Sequence, residues 1–301
     1  MGAQPGGDRR QVRHLHGDTS PSAERLMFGF ALRGHREQSE RTLKQVASAL
    51  GWSQSTLSRL ETGRKATKPD QVSPLLDAYE VTDALMRADL TQMAFEADVK
   101  GWLRPYKTAA TNHALAQASF ENMAQRMRIY DSSSIPGLLQ TEDYARAVVG
   151  LGKHGRDPGK VERLVELRME RQRRFAAADK KLICVLDEAS LIRPYGSCEV
   201  MYRQLDHLLT LSYDPRYVLQ VAELKRFDMP VWSSATIFDF PDKPVPDIAY
   251  IEEHDTAFYV STEDEVDERE KVFDLLRSAS LRSDLSRSRI RHLRDHAAKQ
   301  G

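Results

Sequence analysis

Between Thr42 and Gly63 the chain reads TLKQVASALGWSQSTLSRLETG, and few backbones accept that order of residues. Thr42 can cap a helix whose apolar positions, Leu43, Val46 and Leu50, recur at helical spacing. Ala47 lies inside that helix, where a larger side chain would hold a crossing helix away. Gly51 follows, where a left-handed residue is needed and only glycine takes it without strain. Ser53 then caps a second helix, Gln54 to Glu61, which turns Leu57 and Leu60 inward, and Gly63 ends it. Two short helices crossing steeply satisfy all of these constraints together, and that arrangement is a helix-turn-helix.

With Leu57 and Leu60 inside, the outer face of the second helix carries Gln54, Ser55, Ser58 and Arg59. Gln and Arg can each make two hydrogen bonds to one base edge, and serines reach bases or phosphates. The plainer reading is a polar face on a small helical domain; agreement of turn, caps and face favours recognition. Lys44 ahead of the turn, with Arg64 and Lys65 after it, is placed for backbone phosphate, as is Lys68.

QSTLSRLETG after ASALGW resembles the Cro-repressor-type (xenobiotic-response-element) helix-turn-helix family over about residues 24 to 80. The resemblance implies a five-helix DNA-binding domain with the helix from Gln54 entering the major groove. It also implies an ion pair between Arg36, on the first helix, and Glu61 at the end of the recognition helix.

A chain of 301 residues exceeds one small DNA-binding domain and suits two. Lys plus Arg and Asp plus Glu both number 44, so net charge identifies no partner. Residues 1 to 80 hold twelve basic and nine acidic side chains, a bias too mild for bulk attraction to DNA. The two cysteines, Cys184 and Cys198, have no metal-site spacing around them, and reduced thiols in the cytoplasm are expected. No apolar run approaches a membrane span, and no hydrophobic signal core opens the chain.

Four segments follow. Residues 1–22, rich in Gly, Pro, Arg and His, read as a disordered tail. Residues 23–98 form the helix-turn-helix domain, with Leu26, Phe28, Phe30 and Leu32 among the apolar positions of its first helix. Pro69 opens its fourth helix and Asp83 caps its fifth. A boundary is placed between Asp98 and Lys100. Residues 99–285 form an α+β regulatory or interaction domain, and residues 286–301 a C-terminal helix and tail.

In the second domain a long helix is expected from His113 to Met127, then an extended turn at Ile135-Pro136-Gly137. Val161 to Phe175 is a basic helix, whose arginines suggest a second nucleic-acid surface or an acidic partner, or else simply a solvated amphipathic edge. Strands are expected at 182–186, 217–221, 235–240, 248–251 and 257–260. Short spacing between the last three argues for antiparallel hairpins, hence a small, mostly antiparallel sheet. The strings PGLLQTEDYARAV, ELRMERQ, VLDEASL and VFDLLRSASL occur in order. They are similar to the domain of unknown function fused behind a Cro-type domain in many actinobacterial regulators. That resemblance implies a transcriptional regulator and a small acidic companion protein. AELKRFDMPVW, from Ala222, departs from the family pattern.

Asp187 with Glu188, and Glu252, Glu253, His254 and Asp255, could serve as metal ligands or an acid/base pair. Neighbours on a strand face opposite ways, which splits each cluster, and no phosphate loop or nucleophile elbow accompanies them. No enzyme and no cofactor are expected. Residues 239 to 270 hold twelve acids against two bases, which discourages DNA from that face.

The sequence therefore reads as a sequence-specific double-stranded-DNA-binding transcriptional regulator, homodimeric, with a C-terminal sensing or assembly domain. The alternative is an antitoxin-like module whose protein partner is primary and whose DNA binding is autoregulatory.

Overall fold

The computed structural model describes residues 13–15, 23–96, 101–152, 155–226, 228, 230, 233–240, 245–252 and 257–299. Beyond the strand β1 (Arg13–Leu15), the tail expected over residues 1–22 lies outside the described residues. So does the boundary expected between Asp98 and Lys100, and so do Glu253, His254 and Asp255.

Five helices make the first domain: α1 (Ala23–Gln38), α2 (Leu43–Leu50), α3 (Gln54–Glu61), α4 (Pro69–Ala78) and α5 (Ala84–Glu96). The local chemistry of each boundary is visible. Thr42 and Gln45 form a reciprocal capping box at the start of α2, which satisfies two otherwise unpaired backbone donors. Gly51 takes φ +64° beyond the end of α2, and Trp52 N–H donates to Ala47 O at 2.8 Å. The Ser53 hydroxyl accepts from Thr56 N–H, and Gly63 takes φ +67° after α3. Asp83 accepts from Met86 N–H at the start of α5.

Helix α1 is buried all round from Leu26 to Leu32. A helix apolar on every side needs partners on every side. On one side α3 and α5 provide them. On the other side lies the second domain, where the Phe30 ring meets Tyr259 with centroids 5.3 Å apart. This explains why no single core-facing subset emerges from Leu26, Phe28, Phe30 and Leu32.

The second domain contains α6 (Asn112–Met123), β2 (Arg126–Asp131), α7 (Glu142–Leu151), α8 (Pro158–Ala177), β3 (Lys181–Asp187), α9 (Glu188–Ile192) and α10 (Cys198–Leu211). It continues with β4 (Tyr217–Ala222), β5 (Ala235–Asp239), β6 (Ile248–Glu252), β7 (Ala257–Val260), α11 (Glu263–Ala279) and α12 (Ser283–Ala297). Its six strands and β1 form one sheet in the order β1-β7-β6-β5-β2-β3-β4. The sheet is mixed, which corrects the expectation of a mostly antiparallel one. β2–β3 and β3–β4 pair in parallel, whereas β5, β6 and β7 form antiparallel neighbours. The reason lies in the connections: α7 and α8 separate β2 from β3, and α9 and α10 separate β3 from β4. Such crossovers return the chain in the same direction.

The central strand β2 is the second correction. The helix expected to reach Met127 stops at Met123, with Ala124 already extended (ψ 144°). The string RMRIYD hides a strand because Arg128 is a charged residue on a buried face. It is accommodated by ion pairs to Asp239 on β5 and Glu270 on α11. Nearby, burial pushes the Asp247 carboxyl up to about 6.

Helix α12, read from sequence as part of a terminal appendage, packs on α10 and β4 with Ile290 fully buried. Its Ser286 hydroxyl accepts from Val221 N–H and donates to Leu281 O. Asp187 caps α9 and accepts from Tyr130 Oη, while Glu188 pairs with Arg289 of α12. Both carboxylates thus hold elements together.

Candidate nucleic-acid interface

The geometry of α3 depends on how closely α1 crosses it. A Cβ at Gly29 would lie 2.6 Å from Leu60 O and 2.7 Å from Glu61 O, so α1 lies directly against the backbone at the C-terminal end of α3. Next to this crossing, Arg36 Nε donates to Glu61 Oε1 at 2.7 Å and Arg36 Nη2 to Oε2 at 2.9 Å. Tyr79 Oη, from just beyond α4, donates to Glu61 Oε1 at 2.8 Å. Only 11% of the Arg36 side chain and 4% of Glu61 are exposed. Burial first, then the adjacent carboxylate, raise the Tyr79 phenol well above its ordinary range, so it is always a donor here. Three helices of the domain are therefore tied to one carboxylate.

What this frame presents outward is the face read from the sequence. Leu57 and Leu60 are buried, while Gln54, Ser55 and Arg59 are exposed and Ser58 is half-buried. Arg59 Nε donates to Ser55 O at 3.3 Å, which lays its side chain back along the helix. Lys44 and Arg64 are exposed on the flanking segments. Lys65 is half-buried, its Nζ 4.6 Å from the centre of the Trp52 ring. That cation–π contact gives Lys65 a packing role that spacing alone did not indicate. Gly29 was also missed, and its signal was slight: a glycine inside an otherwise apolar helical run.

The side chains around the PGLLQT turn, Tyr130, Leu138, Leu139 and Tyr144, are all buried and fill the core rather than forming an exposed contact surface. In the basic helix α8, Arg163 and Arg173 face solvent as expected of a solvated edge. Arg168 and Arg171 instead turn inward, an outcome that neither reading of this helix anticipated.

Capped helices, a left-handed turn and a free polar face define a helix-turn-helix module, the class of domain carried by DNA-binding regulators. Residues 27–88 match the family described as a helix-turn-helix domain. Residues 116–292 match the domain of unknown function DUF5753, and the protein belongs to that family. No curated protein matches the chain. No described helix is long and apolar enough to cross a membrane.

Proposed function

We propose that the protein is a sequence-specific transcriptional regulator acting in the cytoplasm, whose α3 reads the major groove of double-stranded DNA. The observation that carries this is the free face of α3 on a helix held by Gly29, Arg36 and Glu61. Gln54 and Arg59 are suited to bidentate base contacts, with Ser55 and Ser58 beside them. Lys44 and Arg64 flank the helix at positions suited to phosphate, and Lys65 adds charge from its place over Trp52. In this reading the second domain senses or assembles.

Two substitutions separate reading from holding. Arg59→Ala is expected to relax preference at one base position at a cost of about 1–3 kcal/mol. Arg64→Ala is expected to weaken operator and scrambled DNA alike and to lower the salt slope by about one. Fluorescence anisotropy against both DNAs over a salt series checks this. Unchanged affinity of Arg59→Ala for both would remove α3 from the role of reader.

One recognition helix spans few base pairs, so two copies on half-sites about 10 base pairs apart, or a multiple, are expected. The seam is either the end of the first domain, where Leu85 on α5 is 78% exposed while Leu90 and Met93 are buried, or the second domain. Sedimentation of the protein–operator complex should give two protein chains per site. A single chain on an unrepeated site would remove the dimer from this reading.

A further inference from the structure

A cavity of about 220 Å³ opens in the second domain where the parallel half of the sheet meets the antiparallel half. Its walls are the C-terminal end of β2, the start of β5, β6, the PGLL turn and the inward side of α8. Crevices at the carboxyl ends of parallel strands, where sheet order changes, are where open α/β sheets accommodate ligands. The strings PGLLQT and ELRMERQ, far apart in sequence, meet at this wall. Gln172 Nε2 donates to both Gly137 O and Gln140 O at 2.8 Å, and Gln140 Nε2 donates to Ile135 O at 2.5 Å. Thr141 N–H donates to the fully buried Gln204 at 2.7 Å. The turn is thus rigid, and it presents a bare glycine to the arginines: a Cβ at Gly137 would lie 3.4 Å from Arg168 Nε.

The two arginines in the wall differ in one respect. Arg171 is matched by Glu121 through two hydrogen bonds of 2.6 Å. Arg168 donates Nη1 to the neutral Oε1 of Gln140 at 2.7 Å, and no carboxylate among the described residues lies within ion-pair distance of it. Burial first, and then Arg171, push the Arg168 guanidinium down to about 10, so it remains charged at neutral pH. Glu252 and Glu121 act on Arg168 only through the field, without contact, and a carboxylate or phosphate on the N–H groups that have no partner among the described residues supplies the direct ion pair that they do not. Beside the apolar Ile129 and Leu138, the remaining lining offers hydrogen-bonding groups: Ser133, Ser134 and Ser234 with Asp131, and Glu252 on β6. Asp131 accepts from Ser133 and Ser234, and Glu252, 3.8 Å from His113 Nε2 and with its carboxyl pushed up by burial, lies in the same field as Arg168. A ligand must therefore bring one anionic group to Arg168 and hydrogen-bond donors toward Glu252.

We infer that this cavity binds a small polar molecule bearing one carboxylate or phosphate group, anchored by Arg168, with hydroxyl or ammonium donors at its other end. The volume suits a molecule of the size of an amino acid and falls below that of drug-sized sites. This rests on the sensing role given to the second domain, and the binding test omits DNA so that either can fail without the other.

Isothermal titration of the full chain with serine, acetate and inorganic phosphate provides the test. At least one should bind saturably, serine ahead of acetate if the anion is a carboxylate, phosphate ahead of both if it is a phosphate. Arg168→Gln should weaken that binding at least tenfold, and Arg163→Gln, on the solvent side of α8, should leave it unchanged. Should Arg168→Gln fail to fold, phenylglyoxal labelling of the wild-type protein replaces it, with the bound probe expected to protect Arg168 from modification. Absence of saturable binding by all three probes, equal binding by Arg168→Gln, or labelling of Arg168 unaffected by a bound probe would each overturn the inference.

Discussion

Glu61→Ala is expected to destabilise the protein by about 3–5 kcal/mol, the range for removing one partner of a buried ion pair. The cost arises less from the lost attraction than from what is left behind. Arg36 would keep its charge with only 11% of its side chain exposed, and Tyr79 Oη would lose its acceptor. Replacing both ends, as Arg36→Met with Glu61→Leu, should recover much of the loss, because no unpaired charge then remains. Urea denaturation of the two single variants and the double variant measures this. A loss below about 1 kcal/mol for Glu61→Ala, the level of an exposed pair, would show that the triad does not hold the domain together.

Gly29→Ala is the second large effect, and its sign is opposite to that of the ordinary glycine-to-alanine change in a helix. The added methyl would sit 2.6–2.8 Å from the backbone of Leu60 and Glu61, which cannot swing aside as a flexible side chain would. Overpacking of this kind costs about 1–3 kcal/mol, and here relief requires α3 to move away from α1. Operator affinity should therefore fall along with stability. Gly34, on the same helix with nothing within 4 Å of its added Cβ, is the internal comparison. Gly34→Ala should stabilise by about 0.5–1 kcal/mol. Thermal unfolding of the two variants should move in opposite directions; a common shift would mean that α1 and α3 are not in close contact.

The helix-turn-helix was legible because its determinants are local. A cap at Thr42, a left-handed glycine at 51 and a second cap at Ser53 act within a few residues of where they stand, so spacing alone carries them. The face of Gln54, Ser55 and Arg59 follows at once from helical periodicity. The pairing of Arg36 with Glu61 joins residues 25 positions apart, and it entered through family resemblance rather than through spacing.

Other features depended on partners distant in the chain. β2 does not read as a strand because its buried face carries Arg128, acceptable only where Asp239 and Glu270 come to meet it. The parallel half of the sheet depends on where α7 to α10 carry the chain before each strand returns. Arg168 and Arg171 lie at helical spacing from Leu164 and Phe175, on the stripe of α8 that turns inward, but spacing cannot say which acid meets each of them. Only the fold brings Glu121 to Arg171 and leaves Arg168 facing a cavity with a neutral partner. Short-range stereochemistry determined the helix-turn-helix module, whereas long-range packing decided the sheet, the crossing at Gly29 and the arginine that faces the cavity.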